Sequence, residues 1–212
     1  MRFLSASVIM LAFSPSAVIA QLIAGEEVIE PSAKQMQQLQ ALTPEGARHA
    51  LTISDDELET VVNITSEKVW KSRGKFTDKV RSDNFLRAFI DKSSGAVRYQ
   101  LYQEITYSGE WRRITTVNYA TPNGPVSAPV VSIAKDVITC DYGLCVYREA
   151  VGFDIPAKQL EAIAASYAPG QSRLWRFRFK GQSGLDWEDR LAPAEAAGVL
   201  LAVRAYRAEQ GN

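Results

Sequence analysis

The sequence predicts an α+β fold: a curved antiparallel sheet of about six or seven strands, with two helices near 155–167 and 193–207 packed on one face. Three features point to it. Residues 97–119 alternate in two runs, Val97, Tyr99, Leu101, Gln103, Ile105 and Tyr107, then Trp111, Thr115, Val117 and Tyr119 with Arg113 on the same side. Residues 174–180 switch back to period two, with Trp175, Phe177 and Phe179 on one face and Arg176, Arg178 and Lys180 on the other. Helical spacing appears only late, at Leu160, Ile163, Ala164 and Tyr167 and again at Val199, Leu200, Val203 and Tyr206, so strands gather first and helices follow.

The 212 residues, 46% hydrophobic and 23% charged, suffice for one domain with a sizeable core. Residues 1–20 read as a signal peptide: Arg2, an apolar run, then Ala17, Val18, Ile19 and Ala20 as the cleavage site. Ser5, Ser7, Ser14 and Pro15 interrupt that run, and a membrane span needs about 20 apolar residues. The expected mature chain starts at Gln21, is periplasmic or secreted, and has no transmembrane segment. Residues 21–56 are expected to be a polar, mobile lead, weakly helical only between Ser32 and Leu42 and with His49 in solvent, and 57–212 a single α+β domain.

Within that domain a first strand is expected around Val61, Val62 and Ile64, continuing towards Trp70, with loop at 71–78. A strand at 85–91 turns through Ser93, Ser94 and Gly95 into the first central run. The central runs are expected to pair with each other across Ser108, Gly109 and Glu110, Tyr107 facing Trp111. A one-residue slip would set Ile105 against Arg112. Pro122, Asn123, Gly124 and Pro125 then break the chain. Strands at 129–140 and 145–153 form a hairpin with Cys140 and Cys145 at its tip, where facing Cα atoms lie within disulfide reach. Asp154 is the expected N-cap of the first helix, and Pro193 the first residue of the last.

The functional signals are mainly exclusions. With 24 Lys and Arg against 24 Asp and Glu, the chain has no polyanion-binding bias, so no nucleic-acid partner is expected. Phosphate loops and dinucleotide fingerprints are absent, so no cofactor is expected. A lone histidine and one cysteine pair leave no metal set. Residues 181–184 fall one step short of a nucleophile elbow, and a catalytic triad would have to recruit His49 from the lead.

Two groups of carboxylates remain as catalytic candidates. Asp186, Glu188 and Asp189 surround Trp187, the residue types that glycan-cleaving sites use. Asp136 and Glu149 fall opposite each other if pairing runs regularly from Cys140 and Cys145; either a bulge near Lys135 or a nearby arginine relieves their repulsion, or the pair shares a proton with one pKa raised. The basic alternation of Arg176, Arg178 and Lys180, with Trp187 nearby, suits an anionic glycan, a lipid headgroup or an acidic partner. The leading expectation is a non-catalytic exported domain that binds an envelope component or a partner protein. The alternative is a carboxylate-dependent hydrolase acting on glycan or cell-wall material.

Overall fold

A computed structural model describes residues 32–69, 80–171 and 173–210. The expected signal peptide, its expected cleavage site and the loop expected at 71–78 fall outside the described residues. Those residues form, in chain order, α1 (Ala33–Ala41), α2 (Pro44–Ala50), β1 (Thr52–Ser54), β2 (Val61–Thr65), β3 (Val80–Asp91), β4 (Val97–Ser108), β5 (Ile114–Thr121), β6 (Gly124–Pro129), β7 (Val131–Asp141), β8 (Leu144–Ile155), α3 (Ala157–Ala165), β9 (Trp175–Gly181), β10 (Trp187–Leu191) and α4 (Pro193–Glu209). The α+β class and the antiparallel pairing are as the sequence predicts.

The single sheet is not. The strands divide into an open six-stranded sheet, β1-β2-β3-β4-β8-β7, and an open four-stranded one, β10-β9-β5-β6. Strand β4 is flanked by β3 and β8 along its length, so no edge is left for the second central run. After β4 the chain turns through Gly109 (φ 114°) and Arg113 (φ 54°), and β5 pairs with β6 and β9 in the other sheet. A bulge between Ile114 and Thr116 also shifts the alternation, so that Ile114, Val117 and Tyr119 are buried while Thr115 is not. Period-two patterning identified the buried face of each strand, but it carries no information about the partner.

Three strands lay where none was expected. Strands β6 and β10 are the edges of the small sheet. An edge tolerates the prolines of β6, because their missing N–H groups can face away from the ladder. Strand β1 and the two short helices occupy the segment expected to be a mobile lead, with α1 on its weakly helical stretch. Helix α1 opens on a capping box of Ser32 and Gln35, and the Gly46 N–H of α2 donates to Thr43 Oγ1 at 3.0 Å. His49 is exposed in the last turn of α2, as the sequence suggested.

Helix α2 lies against α4, where Ala47 is fully buried. A Cβ built on Gly198 would stand 2.7 Å from the Ala47 Cβ and 2.9 Å from the Arg48 nitrogen. Gly198→Leu is therefore expected to push α2 off and destabilise by about 2–3 kcal/mol. Faster amide exchange confined to 44–50 would identify the cause; unchanged exchange there would contradict this packing.

Helix α3 begins at Ala157 behind Pro156, without the expected Asp154 cap. Asp154 instead belongs to β8 and accepts a hydrogen bond from Arg98 Nη1 at 2.8 Å. Helix α4 does start on Pro193. One core joins Leu101, Ile105 and Phe153 of the large sheet, Val117, Tyr119, Phe177 and Phe179 of the small one, and Leu160, Val199 and Val203 of the helices. Phe177 sits among Trp175, Phe179 and Phe153 with ring centroids 5.3, 5.6 and 6.4 Å away. Phe177→Ala is expected to cost about 3–5 kcal/mol in a denaturant melt, the range for emptying an aromatic core position. A loss below 1 kcal/mol, by order of magnitude, would place the ring outside the core.

Candidate functional site

The alternation of β9 sends its aromatic residues into the core and Arg176, Arg178 and Lys180 to the outer face of the small sheet. Strand β10 lies alongside it, with Glu188 opposite Arg178 and Arg190 opposite Arg176. The basic run and the acidic segment, separate candidates in the sequence, are thus one cross-strand ladder. Lys180 pairs with Asp186, whose Oδ1 also accepts the Gly181 N–H at 3.3 Å.

Glu188 is the centre of that ladder. Its side chain is only 3% exposed, and it accepts from Arg176 Nε at 2.7 Å and from Arg178 Nη2 at 2.8 Å. Burial alone would raise its pKa, but the two guanidiniums outweigh that effect and hold it below the ordinary glutamate value. Arg176 and Arg178 line an open cavity of about 420 Å³, together with Asn118, Thr121, Gly124 and Pro125. Arg178→Ala should cost about 1–2 kcal/mol, more than a surface change, because Glu188 stays buried with one partner removed. Urea midpoints matching wild type would show that Arg176 suffices.

Trp187 lies elsewhere: it is 2% exposed in the core, and its indole N–H donates to Asp189 Oδ2 at 3.3 Å. That carboxyl also accepts from Ser82 Oγ at 2.9 Å and Gln103 Nε2 at 3.1 Å, so it ties β10 to β3 and β4 across the two sheets. Burial pushes the Asp189 pKa up, partly offset by the Arg190 backbone N–H and then by the Ser82, Asn84 and Trp187 side chains.

The disulfide between Cys140 and Cys145 is formed, an arrangement compatible with an exported protein. Regular pairing from it fails, however. A register shift between Val137 and Thr139 places Asp136 opposite Arg148 and Lys135 opposite Glu149. The expected facing of Asp136 and Glu149 is therefore absent, and so is the basis for a shared proton. Asp136 Oδ2 meets Arg148 Nη2 at 2.7 Å on the sheet surface.

Glu149 turns inward and is fully buried. It accepts a hydrogen bond from the Tyr107 hydroxyl, and N–H groups from Arg113 at 3.0 Å and Ile114 at 3.2 Å. The Tyr107 oxygen in turn accepts the Arg112 N–H at 2.9 Å. Burial, the largest influence, pushes the Tyr107 phenol well above its usual value, and Glu149 adds to the rise. Glu149 thus joins the end of β4 to the start of β5. No sequence pattern announces such a link, since most of its donors are backbone groups placed by an irregular turn.

The five candidate carboxyls are therefore each engaged: Asp136 by Arg148, Glu149 by the turn, Asp186 by Lys180, Glu188 by two arginines and Asp189 by the β3–β4 contacts. Among the described residues no group of three or more His, Cys, Asp or Glu side chains could hold a metal ion, and no helix is long and apolar enough to cross a membrane. No family model matches this chain, and neither a curated protein nor a solved structure matches it.

Proposed function

We propose that this protein is a non-catalytic exported domain that binds an anionic envelope component on the outer face of its small sheet. One observation carries the reading: Arg176 and Arg178 are fixed on a buried Glu188 at the wall of a cavity, with the Arg176 side chain still 62% exposed. Guanidiniums already held in place lose less conformational freedom when they meet a carboxylate or phosphate, and their planar forks match both groups. Arg176, Arg178 and Lys180 share this face with Asp186 and Glu188, so an electrically neutral chain gathers charged side chains here. Asn118 and Thr121 add polar groups to the same cavity.

Titration with lipoteichoic acid, lipopolysaccharide and soluble muropeptides tests the reading. Binding to at least one is expected, weakened about tenfold by Arg176→Ala, the loss of one charge-assisted contact, and further weakened as salt rises from low to physiological strength. Absence of binding to all three, or binding indifferent to Arg176→Ala, would overturn it.

A further inference from the structure

The turn between the sheets borders a second cavity, of about 360 Å³, lined by Glu110, Trp111, Arg113, Tyr147, Gln182 and Ser183. It shares no residue with the cavity beside Arg176. We propose that it is a saccharide site selective for a sugar that carries a carboxylate.

Arg113 holds an unusual backbone conformation. Its φ of 54° lies in the left-handed region, which glycine adopts freely and a branched-out L side chain adopts against steric resistance. The conformation is held from several directions. The Arg113 and Ile114 N–H groups donate to the buried Glu149, and the Arg113 carbonyl accepts the Gln182 N–H at 3.2 Å. Ser183 N–H donates to the neighbouring Arg112 carbonyl at 3.3 Å, tying the same loop to the turn. A turn needing only this geometry would be easier to build with glycine. A residue retained in a disfavoured conformation by a buried carboxyl points to a use for its side chain.

Among the described residues the fold makes no use of that side chain. The Arg113 guanidinium is exposed and has no ion pair, side-chain hydrogen bond or ring contact among the described residues. Glu110, on the same cavity, is likewise exposed and without such a partner among them. Opposite charges therefore border one space without neutralising each other.

Aromatic side chains form one wall of the cavity. Trp111 is half-buried against Tyr147, with ring centroids 4.4 Å apart, so the indole is fixed while part of it reaches the cavity. An aromatic face suits the C–H face of a pyranose ring. Glu110 and Gln182 can take its hydroxyls, and the planar fork of Arg113 a carboxylate. A phosphorylated nucleotide fits less well, since its several negative charges would meet Glu110 as well as Arg113. The volume suits a ligand of one or two sugar units rather than a deeply enclosed one.

The test follows the indole N–H signals by NMR during titration with three acidic probes, hyaluronan tetrasaccharide, trigalacturonate and N-acetylglucosaminyl-N-acetylmuramic acid, and with chitotetraose as the neutral control. The Trp111 signal is expected to move saturably with at least one acidic probe, with affinity at least fivefold above that for chitotetraose. Arg113→Gly keeps the turn and relieves its backbone, so this variant should fold as wild type yet bind acidic and neutral sugars alike. Trp111→Ala should remove both kinds of binding, whereas Arg176→Ala should change neither. Failure of all three acidic probes to move Trp111, or full acidic selectivity in Arg113→Gly, overturns the proposal. Neither result bears on the Arg176 face, which its own variant reports.

Discussion

Glu149→Ala is expected to destabilise the protein by about 3–5 kcal/mol in urea, because it strands one hydroxyl and two backbone N–H groups in a fully buried position. The loss should come with local loosening of the turn from Gly109 to Ile114, read as faster amide exchange. Tyr107→Phe removes one of the three donors and leaves the Arg112 N–H without its acceptor, so about 1–2 kcal/mol is expected. The two changes act on one network, and the double variant should therefore lose less than the sum of the singles. Strict additivity would mean that Tyr107 and Glu149 stabilise the fold separately, contrary to the link between sheets described above.

Glu195→Gln is expected to reshape the pH dependence of stability. Glu195 sits in the first turn of α4, 1% exposed, accepting from the Ser66 hydroxyl, and burial raises its pKa from 4.5 to about 8, with the charge of Asp83 adding to the rise. A carboxyl with a raised folded pKa favours the fold when protonated. Its contribution is fully present below the unfolded value of 4.5 and is lost as pH climbs to about 8. Each tenfold change in proton affinity is worth about 1.4 kcal/mol, so wild type should lose on the order of 3–5 kcal/mol across that window. Asp189, also raised by burial, adds a slope of the same sign. Glu188 and Asp91 are lowered instead, Asp91 to about 2 mainly by the Ser93 hydroxyl, so the stability they contribute is lost only as acid protonates them. Stability should therefore peak in mildly acidic solution. Glu195→Gln should flatten the alkaline side; an unchanged slope between pH 5 and 8 would show that Glu195 is ionised in the native state.

Much of the fold was legible because its signals are local. The alternation of Trp175, Phe177 and Phe179, the start of α4 at Pro193 and the bridge between Cys140 and Cys145 each depend on residues close in sequence. What escaped depends on distant partners. Residues of β4 and β5 reveal which side is buried, yet nothing in them says that β8 rather than β5 lies beside Tyr107. The shift between Val137 and Thr139 turns Glu149 from a partner of Asp136 into a core acceptor, and one extra residue in a strand leaves little trace in composition. Helix α2 looked like loose chain because Ala47 needs Gly198, some 150 residues later, to be buried.

The candidate site was half legible for the same reason. Alternation puts Arg176, Arg178 and Lys180 on one face, and composition singles out Asp186 and Glu188, but only cross-strand pairing joins them into one ladder. Trp187 lies apart from that ladder, because alternation along β10 sends it inward while Glu188 takes the outer face.

An anion site on the small sheet is tested most directly by an NMR titration of the arginine Nε–Hε signals with pyrophosphate, a small stand-in for a phosphate- or carboxylate-bearing envelope group. Arg176 and Arg178, braced on Glu188, should shift saturably, while Arg98 and Arg148, paired with Asp154 and Asp136 on the large sheet, should stay in place. Equal, non-saturating shifts at all four arginines, or silence at Arg176 and Arg178, would contradict such a site.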